Sequence, residues 1–164
     1  MRRAATDLGC SQQVRWFGQG GARYNDVPAL LSEIAAGGRR PGWLIVHIGT
    51  NNLVDTDLFC MRQRVALFMQ YCIDHLPGIR LIWSDILPRA CYFGAVNPAR
   101  IEMKRRAVNK WARSFSGRIG ASVLHHPQFK WSNFNCFRYD GVHLSSLGNA
   151  IFRANFSSCI NSCL

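Results

Sequence analysis

Acidic side chains are scarce in this 164-residue chain, with nine Asp and Glu against twenty Lys and Arg. The formal net charge of +11 suits an anionic partner, nucleic acid among the candidates, without naming one. Lysine is scarcer still: three of the twenty cations are Lys and seventeen are Arg, the side chain shaped for forked contacts with phosphate and carboxylate. No apolar run approaches the roughly 18–20 residues a membrane-spanning helix needs, which excludes such a span. Met1-Arg2-Arg3 leads into Ala-Ala-Thr-Asp instead of the apolar stretch of a signal peptide, so a soluble, intracellular and cytoplasmic chain is expected. The seven Cys are odd in number and dispersed, which argues against a disulfide framework and for reduced thiols. Zinc-type ligand spacing is lacking too. His125 and His126 are adjacent and so point to opposite sides of a strand, Cys136 and His143 have no suitably spaced partners, and no metal is expected.

Charged residues at 18% and hydrophobic residues at 48% exclude a disordered chain, and the length leaves room for one domain, taken as residues 1–164. Short β-branched, apolar runs alternate with longer segments of helical period, the pattern of a parallel sheet flanked by helices. The runs are 13–17, 43–48, 80–86 and 121–124, the first being the least apolar. Between them, apolar residues at 58, 61, 65, 68, 69, 72 and 76 mark one helix face, with Asp55 or Thr56 as its cap and Pro77-Gly78 as its stop. A second helix starts near Pro98, turns Ile101, Val108, Trp111, Ala112 and Phe115 inward, and leaves Arg106, Lys110 and Arg113 outside. Shorter helices are expected over 28–36 and 145–156, and residues 2–8 read as a helix stopped by Gly9. The order thus begins with a helix, whereas open sheets of this kind begin with a strand whose carboxyl end feeds the first helix.

In such sheets the loops beyond the carboxyl ends of the strands build the ligand site. Three of them hold chemistry-bearing residues: Gly18-Gln19-Gly20-Gly21, Gly49-Thr50-Asn51-Asn52, and Asp140-Gly141-Val142-His143 after a long loop. A carboxylate three residues before an imidazole can fix the ring's tautomer and leave its second nitrogen to act as a base. The same tetrapeptide also suits an Asx-type turn with a histidine beside the following helix. Asn51 is suited to holding an oxyanion, or to serving as a turn residue. Gly21 offers a backbone N–H as a second oxyanion donor, or simply the conformational freedom of a tight loop.

In this order, at successive strand ends, the three blocks resemble those of the SGNH hydrolase (GDSL-type esterase/lipase) superfamily. The resemblance covers most of the chain and implies a three-layer, flavodoxin-like α/β fold. It also implies cleavage of a small ester or acylated substrate by a serine nucleophile, without a cofactor. By resemblance, Gly21 and Asn51 form the oxyanion hole, His143 is the base and Asp140 its orienting acid. Asn52 stands where the family usually has an acidic residue, a charge taken to be structural. SGNH-like domains also resemble esterase modules of vertebrate-type mobile elements, an origin that a basic chain would suit.

The family's first block, a strand ending in Gly-x-Ser, has no counterpart before the Gly-rich loop. The expectation is an N-terminally incomplete copy, lacking the first central strand and the nucleophile, with weak or no activity. Ser11 precedes the 13–17 run instead of following a strand, Ser32 falls in a helix, Ser84 inside a strand, and Ser145 and Ser146 at a helix start. With the first strand absent, the 13–17 segment is expected either to leave a gap beside the 43–48 strand or to close directly onto it. The alternative reading is a non-catalytic binding module on the same scaffold, for nucleic acid. Arg100, Lys104, Arg105, Arg106, Lys110 and Arg113 supply the densest basic stretch, which is equally the pattern of a solvated helix face.

Overall fold

The computed structural model describes Leu8, residues 13–37 and residues 41–162. The helix expected over 2–8, apart from Leu8, lies outside the described residues, as do Gly9 and Ser11. Three strands, β1 (Trp43–Val46), β2 (Arg80–Ser84) and β3 (Ser122–Leu124), form one parallel sheet in the order β1-β2-β3. Trp43 pairs with Arg80 and Ile82 with Ser122. Four α-helices flank it: α1 (Val27–Ala36), α2 (Leu58–His75), α3 (Pro98–Arg118) and α4 (Ser146–Ser162).

The alternation of side chains along each strand sorts the helices into two layers. Leu81 and Trp83 of β2, with Leu44, Val46 and Val123, face one core shared with Leu31 of α1, Val65 and Met69 of α2, and Val108 and Ala112 of α3. Ile82 and Leu124, with Trp43 and Ile45, face the other way onto Phe152 and Phe156 of α4. This is a three-layer α/β/α arrangement, as expected. From Leu81 to Ser84, β2 is buried throughout, whereas every residue of β1 is half-buried, so β2 is central and β1 lies at a margin.

Helix boundaries follow the local chemistry. The N-cap of α2 is Asp57, whose Oδ1 accepts from the Cys60 N–H at 2.8 Å, one residue beyond the expected Thr56. Asp55 instead pairs with Arg23 at 2.5 Å, and Thr56 is buried. Asn97 caps α3 in the same manner, with Pro98 at the first helical position, where its missing N–H costs nothing. Ile101, Val108 and Ala112 are buried, Trp111 and Phe115 partly so, and Arg106, Lys110 and Arg113 lie on the exposed face, as the period predicts. Cys72 and Cys136 are buried thiols that pack as small hydrophobes.

The 13–17 segment departs from expectation. It is not a strand, and among the described residues no backbone hydrogen bond joins it to β1, so it does not close onto that strand. Its side chains still alternate: Trp16 packs with Phe156 at 5.5 Å between ring centroids, while Phe17 joins the opposite core. The apolar pattern thus sets which way the residues face, but a strand also needs a neighbouring ladder, and among the described residues none bonds this segment. Leu8 packs on the α4 side, where its carbonyl accepts from the Ser157 hydroxyl.

Candidate active site

The loops nominated from the sequence are each held by short-range hydrogen bonds. At the end of β1 the chain turns through Gly49, at φ +112°, into a 3₁₀ turn over Thr50–Asn52. A Cβ on Gly49 would overlap the hydroxyl of buried Tyr24 and crowd Ile86, so both conformation and space require glycine. The turn holds Asn51 half-buried. Its Nδ2 donates to the Ala22 carbonyl at 3.0 Å, tying the β1 loop to the Gly-rich loop, in which Gly21 takes φ +73°. Its Oδ1 accepts from Arg89 Nη2 at 2.6 Å. With the oxygen and one amide hydrogen committed, the orientation of the carboxamide is fixed and one N–H remains available.

Asn52 is 1% exposed, and neither its Oδ1 nor its Nδ2 has a partner among the described residues. An ionised carboxylate in this position would be a buried charge without compensation, so asparagine is the cheaper side chain here.

The third block is a closed turn at the end of the long loop. Phe137 bridges Leu144 in antiparallel fashion, and the Arg138 N–H donates to the His143 carbonyl at 2.8 Å. Gly141, at φ +66°, donates to the Arg138 carbonyl and accepts from the Cys91 N–H at 3.0 Å, which anchors the turn to the loop after β2. Asp140 Oδ1 accepts from the backbone N–H groups of Val142 and His143 at 2.8 and 2.9 Å. Its Oδ2 lies 2.8 Å from His143 Nδ1. The Asx turn and the Asp–His pair, alternatives on the sequence, thus coexist: one carboxylate oxygen makes the turn and the other orients the imidazole. The His143 backbone N–H, then its ring, then the Val142 N–H hold the Asp140 carboxyl down at about 2, so it stays ionised. With the Nδ1 hydrogen donated to Asp140, Nε2 presents its lone pair, and the ring is largely exposed.

Arg89, in the loop after β2, joins the two halves. Its guanidinium bonds Asn51 and lies within electrostatic reach of Asp140. The nominated residues are thereby linked: Gly21 precedes Ala22, which Asn51 bonds, Asn51 accepts from Arg89, and Arg89 lies within electrostatic reach of Asp140. Sequence reasoning missed Arg89, whose signal was an arginine following Pro88 at a strand's carboxyl end, the one strand-end loop not read for chemistry.

Among the described residues, no serine is hydrogen-bonded to the His143 ring. Ser84 closes β2, is fully buried, and lies 2.7 Å from His126 Nε2 and 3.0 Å from His47 Nδ1. Ser145 donates to the Asn135 carbonyl and accepts from the Gly148 N–H, and Ser32 donates to the Pro28 carbonyl. Among the described residues, no hydroxyl is hydrogen-bonded to His143.

No protein-family model matches the sequence, and no curated protein does. In shape the chain is similar to a GDSL-like lipase from Bacteroides thetaiotaomicron, at TM-score 0.68 and 16% identity, covering 88% of this chain and 73% of that one. A carbohydrate esterase family 3 protein from Talaromyces cellulolyticus gives TM-score 0.68 at 14% identity, covering 94% and 77%. A lipase/acylhydrolase from Enterococcus faecalis gives 0.66 at 14%, covering 88% and 73%. The fold is that of the GDSL-like lipases and acylhydrolases.

Proposed function

We propose that this chain, which shares the fold of the SGNH hydrolases, carries the base and oxyanion half of their acyl-ester hydrolase site. The observation that supports this most is the 2.8 Å contact of Asp140 Oδ2 with His143 Nδ1, which frees Nε2, on the same end of the sheet as an anchored Asn51 carboxamide. In the complete reaction a serine hydroxyl attacks the ester carbonyl and its proton passes to His143 Nε2. The carbonyl oxygen becomes an oxyanion, held by the backbone N–H of Gly21 and the free Nδ2–H of Asn51. As the intermediate collapses, the alcohol leaves with the proton from Nε2. A water then repeats the sequence on the acyl-serine and releases the acid. Throughout, Asp140 stays ionised and stabilises the transient imidazolium.

The nucleophile is the member this chain lacks in our reading, and turnover is accordingly weak or absent. Oxyanion donors and binding alone sustain about 10³–10⁴-fold acceleration over water in triads elsewhere. Hydrolysis of p-nitrophenyl acetate by wild type, His143→Ala and Asn51→Ala tests the assignment. Saturable turnover that falls in both variants supports it; turnover unchanged in both overturns it.

A non-catalytic module that binds nucleic acid is the second reading. It is favoured by Arg100 and Lys110 on α3, exposed cations with no acidic partner among the described residues. Binding to single-stranded RNA that weakens steeply with salt and is lost in an Arg100→Ala/Lys110→Ala variant would support it, since phosphate contacts release counterions.

A further inference from the structure

Arg89 contrasts with the more deeply buried Arg105. Arg105, in α3, is almost wholly buried and spends its guanidinium on Glu102 at 2.7 Å and on the Ile86 carbonyl. Arg113 and His125, beside the cleft of about 490 Å³ beyond β2 and β3, share the Asp85 carboxylate. Arg89 is half-buried yet, among the described residues, has no ion pair, and its side chain makes one hydrogen bond there, from Nη2 to the neutral Asn51 Oδ1. The carboxylate that acts on it electrostatically is that of Asp140, both of whose oxygens are taken by the Val142–His143 turn and the His143 ring. Burial outweighs these neighbours and pulls the Arg89 pKa down. Among the described residues, Nε and Nη1 of this half-buried guanidinium are uncommitted and free to meet a ligand.

We infer that Arg89 is the ligand-recognition residue of this site and takes a monoanionic organic carboxylate. The inference rests on the reading above, because it places the anion beside Asn51 and the Asp140–His143 turn. One guanidinium edge and the remaining Asn51 N–H match the two oxygens of a single carboxylate. The fixed negative charge of Asp140 disfavours a dianion such as hydrogen phosphate. A planar fork meets a carboxylate in a way that a lysine point charge does not reproduce. The ligand class is therefore the acid released by ester cleavage, whose carboxylate takes up the Asn51 N–H once the oxyanion is gone.

The test is an NMR titration of the full chain with sodium benzoate, and separately with phosphate and chloride, at constant ionic strength. Saturable shifts of the Asn51 side-chain amide with benzoate are expected, without comparable shifts for the inorganic anions. Loss of a charge-assisted hydrogen bond should weaken benzoate about tenfold or more in Arg89→Met, and Arg89→Lys should fall between. Dispersed spectra of both variants establish that they fold. No saturable benzoate binding, equal response to phosphate, or unchanged affinity in Arg89→Met would each overturn the inference. Benzoate binding with ester turnover unchanged in His143→Ala and Asn51→Ala would sink the hydrolase reading alone, and turnover that falls in both variants without Arg89-dependent binding would sink this inference alone.

Discussion

Acidification should destabilise the protein in part through the buried imidazole of His126, which shares Ser84 with His47. His126 is 7% exposed, packed among Phe129, Phe152 and Phe156, with Nε2 2.7 Å from the Ser84 hydroxyl and Nδ1 3.0 Å from Asn155 Nδ2. The Asn155 amide also donates to Gln128 Oε1, so its NH₂ edge faces Nδ1 and requires that nitrogen to be an acceptor. Nε2–H then donates to Ser84. Protonation would set the new Nδ1–H against the Asn155 donor and place a charge in an aromatic cluster. Burial, the largest cause, pushes the His126 pKa down to about 4 from 6.5; the neighbouring His125 also lowers it, and Asp85 opposes. The unfolded ring takes up its proton as pH falls through 6.5, while the folded ring stays neutral until about 4. The stabilisation is therefore complete above the unfolded value, falls through this interval, and is gone below it. Linkage over that interval gives a loss of about 2 kcal/mol between pH 7 and pH 5. Urea unfolding followed by tryptophan fluorescence should show wild type losing that much more than His126→Phe over the same range. Equal losses in the two proteins, or an NMR titration placing the wild-type His126 pKa near its ordinary value, would refute the argument.

Two further substitutions probe how the site is held. A Cβ on Gly148 of α4 would overlap the Cys136 carbonyl oxygen, so Gly148→Ala should cost about 1–3 kcal/mol by urea unfolding and disturb the loop that presents Asp140 and His143. Asp57→Ala removes the α2 cap and should cost about 1 kcal/mol, with the benzoate response of Asn51 unchanged.

Much of this was legible in the sequence because it is local. Three apolar runs became β1, β2 and β3, and the 58–76 period became the buried face of α2, since facing follows spacing along one element. Asp140 and His143 were legible for the same reason, being three residues apart in one turn. The 13–17 segment was misread because apolar alternation states which way residues face and not whether a partner strand exists. The pairings of Arg89 and His126 were hidden because their partners are distant in sequence: Asn51 lies 38 residues from Arg89, and Ser84 lies 42 from His126. The cap of α2 shifted to Asp57 because Asp55 was taken by Arg23, a pairing across 32 residues that no local pattern encodes.

The central claim, a base and oxyanion half without its nucleophile, is tested most directly by intact-mass analysis after exposure to a fluorophosphonate probe. The account predicts that the 164-residue chain acquires no serine adduct. A stoichiometric adduct on a serine, abolished in His143→Ala, would contradict it and identify a complete hydrolase.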